Sequence, residues 1–294
     1  MSVQTLDVEV TDAQLSRYAK LIYETTGIHI SPKKKKLLSN RVRRRLRATG
    51  IKSFESYFRH LRDLPISDPE WDAFLQEITT HETYLFRDEA QWDWFRQSYL
   101  PEIARQARAG ERLKSLRIWS AACSTGDEAY TIATCIADRL SGCSSWRIDI
   151  LGTDIGVEVV KSAQAATFNK RAMQNVSHSY RTRFFNKSKD ADLWTARPNL
   201  SSWTRFKQHN LLAPLKEAPF DVVFLKNVLI YFDRDSKTTV LDHVRRAMRP
   251  GGTLITGAAE GVTDLLKDLQ RESSWMHRKP CSLGTSATAA GGTQ

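Results

Sequence analysis

The sequence predicts an α/β protein, a doubly wound and mainly parallel sheet preceded by a small helical domain. Three observations predict it. From residue 116 onward, short runs of branched and aromatic residues alternate with segments at helical spacing, as βαβ units require. The first 80 residues carry only the helical period. Between 168 and 207 the alternation stops: aromatic pairs, many Ser, Asn and Lys and no glycine suggest an inserted β-subdomain.

In the helical domain, residues 1–80, Thr11 or Asp12 is placed to cap a first helix. Leu15, Tyr18 and Ile22 face inward, and the helix ends near Gly27. Ser31-Pro32 reads as N-cap and first turn of a basic helix over 32–48. Leu38, Val42 and Leu46 recur every four residues and form its buried stripe, so Lys33, Lys36, Arg43, Arg44 and Arg47 fall on the outer face. Phe54, Tyr57, Phe58 and Leu61 mark a third helix, and Trp71, Phe74, Leu75 and Ile78 a fourth, with a turn over 65–69 between them. A linker and a long helix, about Asp88 to Arg108, fill 81–110 and stop at Gly110.

The sheet domain is expected over 111–281. LRIWSA (116–121) is a buried strand that turns through Gly126 into a helix with Tyr130, Ala133, Thr134 and Ala137 inward. RIDILGTD (147–154) is a second strand ending in a carboxylate, followed by a helix carrying Val157, Val160 and Ala163. FDVVFLKN (220–227) is almost wholly apolar, as a strand covered on both faces must be. A helix over about 236–248 and a strand TLITGA after Pro250-Gly251-Gly252 complete the alternation. YRTRFF (180–185) supplies a helix to the insertion, and residues 282–294 read as a disordered tail.

Composition narrows the function. Eight Trp, eight Tyr and twelve Phe in 294 residues leave ample material for a core, which excludes pervasive disorder. No apolar run approaches the roughly 20 residues a membrane span needs. The opening MSVQTLDVEV has acids where a secretory signal has a cationic end, so a cytoplasmic location without membrane insertion is expected. Four cysteines, Cys123, Cys135, Cys143 and Cys281, lack metal-ligand spacing, and reduced thiols with no metal site are expected. Lys and Arg number 44 against 33 Asp and Glu, a net +11, and nine of these cations lie between Lys33 and Arg47 without one acid. That helix is either a solvated face or a docking surface for a polyanion, nucleic acid or acidic protein.

Ligands of doubly wound sheets lie at the carboxyl ends of the strands. There the first strand ends in Ala121-Ala122-Cys123-Ser124-Thr125-Gly126, small residues that let a ligand approach the backbone, with Asp127 and Glu128 opening the next helix. Acids at that place repel a pyrophosphate and suit a cationic ligand. Asp154, about 30 residues on, is placed to hold a ribose diol, or else to cap the helix after Ile155-Gly156. An acidic turn with a ribose-binding acid suits S-adenosylmethionine, whose sulfonium and ammonium are positive.

THETYLFRD (80–88), IWSAACSTGDEAYTIA (118–133), ILGTDI (150–155) and FDVVFLKNVLIYFD (220–233), with the N-terminal TGIHISPKKKKLLSNRVRRRLRATGIKSFESY, together resemble the CheR-type chemoreceptor glutamate methyltransferases. The resemblance spans the chain to about residue 280. It implies a Rossmann-like class I methyltransferase sheet with an inserted β-subdomain and a helical N-terminal domain. It also implies methyl transfer from S-adenosylmethionine, leaving S-adenosylhomocysteine, to glutamates on the cytoplasmic helical bundle of bacterial chemoreceptors. By the same resemblance His81, Thr83, Arg87, Glu128, Asp154, Asn210, Leu211, Lys226 and Asn227 contact the cofactor, and Arg87 and Tyr231 serve the transfer. The basic helix would then dock an acidic receptor rather than nucleic acid; the Asn/Asp-Pro-Pro-aromatic signature of amine methyltransferases is missing at Asn227-Val228-Leu229-Ile230. His81, Lys226 and Ala258-Ala259 depart from the family's usual Asn, Arg and more polar turn. They motivate an alternative, a degenerate scaffold or sensor that keeps the cofactor site without transfer.

Overall fold

The computed structural model describes residues 9–140, 142–189 and 192–281. The expected tail over 282–294 lies outside the described residues.

Four helices build the N-terminal domain: α1 (Asp12–Thr26), α2 (Lys35–Thr49), α3 (Phe54–Asp63) and α4 (Pro69–Ile78). Thr11 caps α1 through a reciprocal box with Gln14, and Gly27 ends it in the left-handed conformation. The basic helix differs from its reading. Pro32–Lys34 forms a separate 3₁₀ turn, Ser31 makes no side-chain cap, and the α-helix begins only at Lys35. Leu38, Val42 and Leu46 are nevertheless buried, against Tyr18, Ile22, Phe54, Phe74 and Ile78.

The long helix arrives in pieces. α5 (Glu89–Trp94) passes into a π-helical turn (Phe95–Tyr99) and then α6 (Leu100–Arg108). Pro101 accounts for this: with no N–H and a ring that crowds the preceding turn, it cannot sit in an undisturbed α-helix.

The sheet domain continues as β1 (Ser115–Ala121), α7 (Asp127–Arg139), β2 (Arg147–Asp154) and α8 (Val157–Ala165). Next come β3 (Thr167–Asn169), α9 (His178–Phe184), β4 (Phe185–Lys187), β5 (Leu193–Ala196) and α10 (Pro198–Ser201). The chain then runs through β6 (Thr204–Gln208), β7 (Phe220–Leu225), α11 (Arg234–Ala247), β8 (Met248–Thr256), β9 (Gln270–Arg271) and β10 (Met276–Arg278). The main sheet has seven strands in the order β6-β2-β1-β7-β8-β10-β9, parallel from β6 to β8 and antiparallel at β10 and β9.

Two apolar cores cover its faces, and alternate strand residues divide between them. Ile118, Val222 and Phe224 join Trp92, Phe95 and Ile132 on one side. Trp119, Val223 and Leu225 join Val240, Leu241 and Val244 of α11 on the other.

The insertion is a three-stranded antiparallel sheet, β3-β5-β4, with α9 over the expected YRTRFF. Thr204–Gln208 is not part of it: this segment is the edge strand β6, paired in parallel with β2, so the insertion stops short of 207. β6 escapes the pattern because it alternates Thr, Arg, Phe, Lys and Gln, an edge-strand composition. Pro250-Gly251-Gly252 likewise lies within β8, where the register against β7 shifts by a bulge and Gly251 takes a left-handed φ of 73°.

Candidate active site at the carboxyl rim of the sheet

The chain runs β1, β2, β6 outward on one side, then crosses to β7 and β8 on the other, so β1 marks the topological switch point. The loops leaving β1, β2, β6 and β7, the 79–87 linker and the start of α2 enclose one cleft of about 360 Å³. Five of the six described non-glycine residues with left-handed backbone occur in or directly beside these loops: Phe86 and Asp88 on either side of Arg87, Ala122 and Ser124 after β1, and Asn227 after β7. Each costs about 1–3 kcal/mol and persists only where its surroundings over-determine it.

Asp154, at the last position of β2, is 6% exposed. Its Oδ2 accepts from Ser124 N at 2.9 Å and its Oδ1 from Gly156 N at 3.0 Å. The residue therefore caps the turn at Gly156 and also fixes the loop after β1. An ionised carboxylate has about four lone-pair sites, which leaves capacity facing the cleft. Glu128 accepts from Ser120 Oγ at 2.7 Å and lies 3.7 Å from the Lys226 ammonium. Burial pushes its pKa up, against the pull of Lys226 and Ser120. Asp127 beside it is buried, held by Thr125 at 2.6 Å, and raised by that burial to about 6.

The cations balance these acids. Lys226 donates to the Arg87 carbonyl at 3.2 Å, stands 3.3 Å from Asp88 and lies 4.9 Å above the Trp92 ring. Arg87 donates to Glu82 O at 3.1 Å and stacks 5.7 Å from Tyr84. It is held by its own loop rather than by the neighbouring Asp88 or Glu89. His81 bonds Thr79 Oγ1 at 2.6 Å and sits 4.0 Å from Asp154. Burial lowers its pKa, aided by Arg41 and opposed by Asp154, so the ring is neutral at pH 7.

All ten residues that the resemblance assigned to cofactor or transfer line this cleft. Their parts differ. The Asn210 amide is spent on structure, donating to Thr25 O at 2.7 Å and accepting from Leu212 N at 3.0 Å. Tyr231 is half-buried in the cleft wall rather than packed in the core, with the Lys34 ammonium 5.8 Å above its ring. Lys33, Lys36, Arg43, Arg44 and Arg47 do not line the cleft. Arg44 pairs with Glu77 at 2.8 Å and Arg43 donates to Asn40. Lys34, Leu37 and Arg41, which sequence reading left out, are the α2-side residues that do. Arg41 donates to Ile78 O and, at 2.9 Å, to Thr80 Oγ1. The signal was present, since positions 34, 37 and 41 share a helical face, but the 3₁₀ turn that rotates Lys34 into place is not readable from spacing.

Two family models match the chain: the CheR methyltransferase SAM binding domain over residues 81–276 and the CheR methyltransferase all-alpha domain over 13–79. The chain belongs to the CheR methyltransferase family. It is 31% identical over 268 residues to a chemotaxis protein methyltransferase of Salmonella typhimurium, covering 90% of this chain and 89% of that one. It is 32% identical over 260 residues to the Escherichia coli protein of the same description, at 87% of each. A Vibrio cholerae chemotaxis protein methyltransferase is 29% identical over 260 residues, 87% of this chain and 88% of that one.

The cofactor of the methyltransferase is S-adenosylmethionine, and the cleft fits it. Carboxylates Asp154 and Glu128 suit a ribose diol and a cationic amino-acid end. Ile155 and Leu211 offer apolar walls for a base, and Thr83 and Arg87 offer donors for a carboxylate. Among the described residues no helix is long and apolar enough to cross a membrane and no cluster of metal ligands occurs.

Proposed function

We propose that this methyltransferase transfers a methyl group to the side-chain carboxylate of glutamates on the cytoplasmic helical bundle of chemoreceptors, and so acts in the cytoplasm. The observation that carries the proposal is the meeting of two domains at one cleft. Lys34 and Arg41 of the helical domain reach the same space as Tyr231, Lys226 and Arg87 of the sheet domain. A cationic mouth over an acidic floor suits an anionic acceptor entering above a cationic donor.

Bound S-adenosylmethionine supplies a methyl on positively charged sulfur and leaves as the neutral thioether S-adenosylhomocysteine. The chain's residues supply binding and alignment. Asp154 would hold the ribose, Glu128 the ammonium, Thr83 and Arg87 the carboxylate, and Leu211 with the Asn210 turn the adenine; Asn227 and Lys226 would shape the wall of the transfer site. His81, neutral, completes that wall by hydrogen bonding. A glutamate, with a solution pKa of about 4.3, is already ionised at neutral pH, so no general base is needed. What it needs is removal of its hydration and a fixed line of approach, at about 3–3.5 Å. Arg41 and Lys34 attract it, the Tyr231 hydroxyl orients it, and Leu37 and Trp92 exclude water.

The outer cations Lys33, Lys36, Arg43, Arg44 and Arg47 lie beyond the cleft and steer the acidic receptor toward it. Incubation with labelled S-adenosylmethionine and a receptor cytoplasmic fragment should give base-labile methyl incorporation; cofactor binding without incorporation would defeat the reading.

A further inference from the structure

Glu260, in the turn after β8, is 1% exposed, yet neither carboxylate oxygen closes a hydrogen bond of ordinary length and angle. A carboxylate so placed is costly unless some charge or dipole compensates it. The compensation comes from backbone. Nearby N–H groups of Asn227, Val228 and Ile230, and more weakly Lys237, oppose the upward push of burial on its pKa, although burial prevails and the pKa stays raised. Successive N–H groups converging on one point form an anion-binding concavity. The segment that supplies them runs from left-handed Asn227, φ 59°, into the 3₁₀ turn Leu229–Tyr231.

The fit beneath this turn is close. A Cβ on Gly257 would stand 2.8 Å from Glu260 Oε1 and 3.2 Å from Asn227 N, so any larger residue there would displace the acid or the turn. Lys237 Nζ donates to the Glu260 carbonyl at 2.8 Å and ties the acid's own backbone to α11. The backbone of Glu260 is thus fixed to α11 while its side chain reaches the 227–230 turn.

We infer that Glu260 is a positioning residue for methyl transfer: its buried carboxylate, seated under the N–H groups of the 227–230 turn, keeps Asn227 left-handed and so aims Lys226 and Tyr231 into the cleft. The inference rests on the transfer reading given above, in which those two side chains act at the methyl. A carboxylate is needed because a neutral amide of the same shape offers one acceptor and no charge to three converging dipoles.

The test compares wild type with Glu260→Gln and Gly257→Ala, measuring cofactor affinity by calorimetry, melting temperature, and kcat and KM on a receptor fragment. Both variants should lose about tenfold or more in kcat while cofactor affinity stays within about threefold, since displaced alignment costs rate before binding. Because Gly257→Ala keeps the acid in the sequence but displaces it from the same contact, it reports on the turn even if Glu260→Gln fails to fold. Wild-type kcat in a folded variant, or an equal loss of kcat and cofactor affinity, would overturn the inference. Absence of transfer by the wild type would instead overturn the transfer reading itself.

Discussion

The two ends of the central sheet use the same residue types to opposite effect. At the amino end, charges are consumed by one another. Asp149 of β2 bonds Arg205 at 2.7 Å and Arg117 at 2.9 Å. Glu217 takes Arg205 at 2.9 Å and Lys207 at 2.8 Å. Asp221 accepts from Arg112 at 3.0 Å and from Arg117 N at 2.8 Å. At the carboxyl end the equivalent groups hang back: Lys226 is 3.3 Å from Asp88 and 3.7 Å from Glu128, and His81 is 4.0 Å from Asp154. The left-handed residues cluster here and not at the ladder. Charges saturated by partners build a sheet; charges kept apart by a strained backbone keep affinity for a ligand.

Four substitutions would break or sharpen that contrast. The largest effect is expected at Asp154→Ala, which removes an acceptor from two backbone N–H groups as well as from the cofactor. Affinity for S-adenosylmethionine should fall about 100-fold, from about 1.5–3 kcal/mol of charged hydrogen bonding lost; unchanged binding by calorimetry would misplace the ribose. Next comes Arg41→Ala. KM for the receptor fragment should rise about tenfold with cofactor affinity kept, and the defect should shrink at high salt because long-range attraction is screened. Tyr231→Phe should lower kcat about fivefold to tenfold with little change in cofactor affinity, as loss of one orienting hydrogen bond does. The smallest functional effect belongs to the other end: Glu217→Gln should leave transfer intact and cost about 1 kcal/mol of stability.

The last variant also carries a pH signature. Two hydrogen bonds from Arg205, with one from Lys207, hold Glu217 down at about 2 in the folded chain. Its stabilisation is therefore fully present above the ordinary carboxylate value and lost as pH falls from about 4.5 toward 2. Melting curves of wild type and variant should converge over that interval.

Much of this was legible beforehand, for identifiable reasons. The apolar stripes of α1 to α4 and the buried strands β1, β2 and β7 announce themselves because burial imposes a period on composition. Lys226, Glu128 and Asp154 fell at the right rim because strand ends were legible. What escaped was decided across distance. β6 carries a polar edge composition that means nothing until β2 lies beside it. The break at Phe95–Tyr99 is the exception, a local accommodation of Pro101. Arg41 was hidden as one of nine cations between Lys33 and Arg47, and only docking of α2 beside Ile78 and Thr80 singles it out.

Sequence by itself determined the apolar helices and the buried strands, the alternation broken by an insertion, and the family, since these depend on local propensity, burial pattern and motifs in series. Tertiary structure alone decided which charges are spent and which remain open. That depends on the separation of groups far apart along the chain, such as Lys226 from Asp88 and Glu260 from the 227–230 turn, and a period of two or 3.6 residues holds no record of those distances.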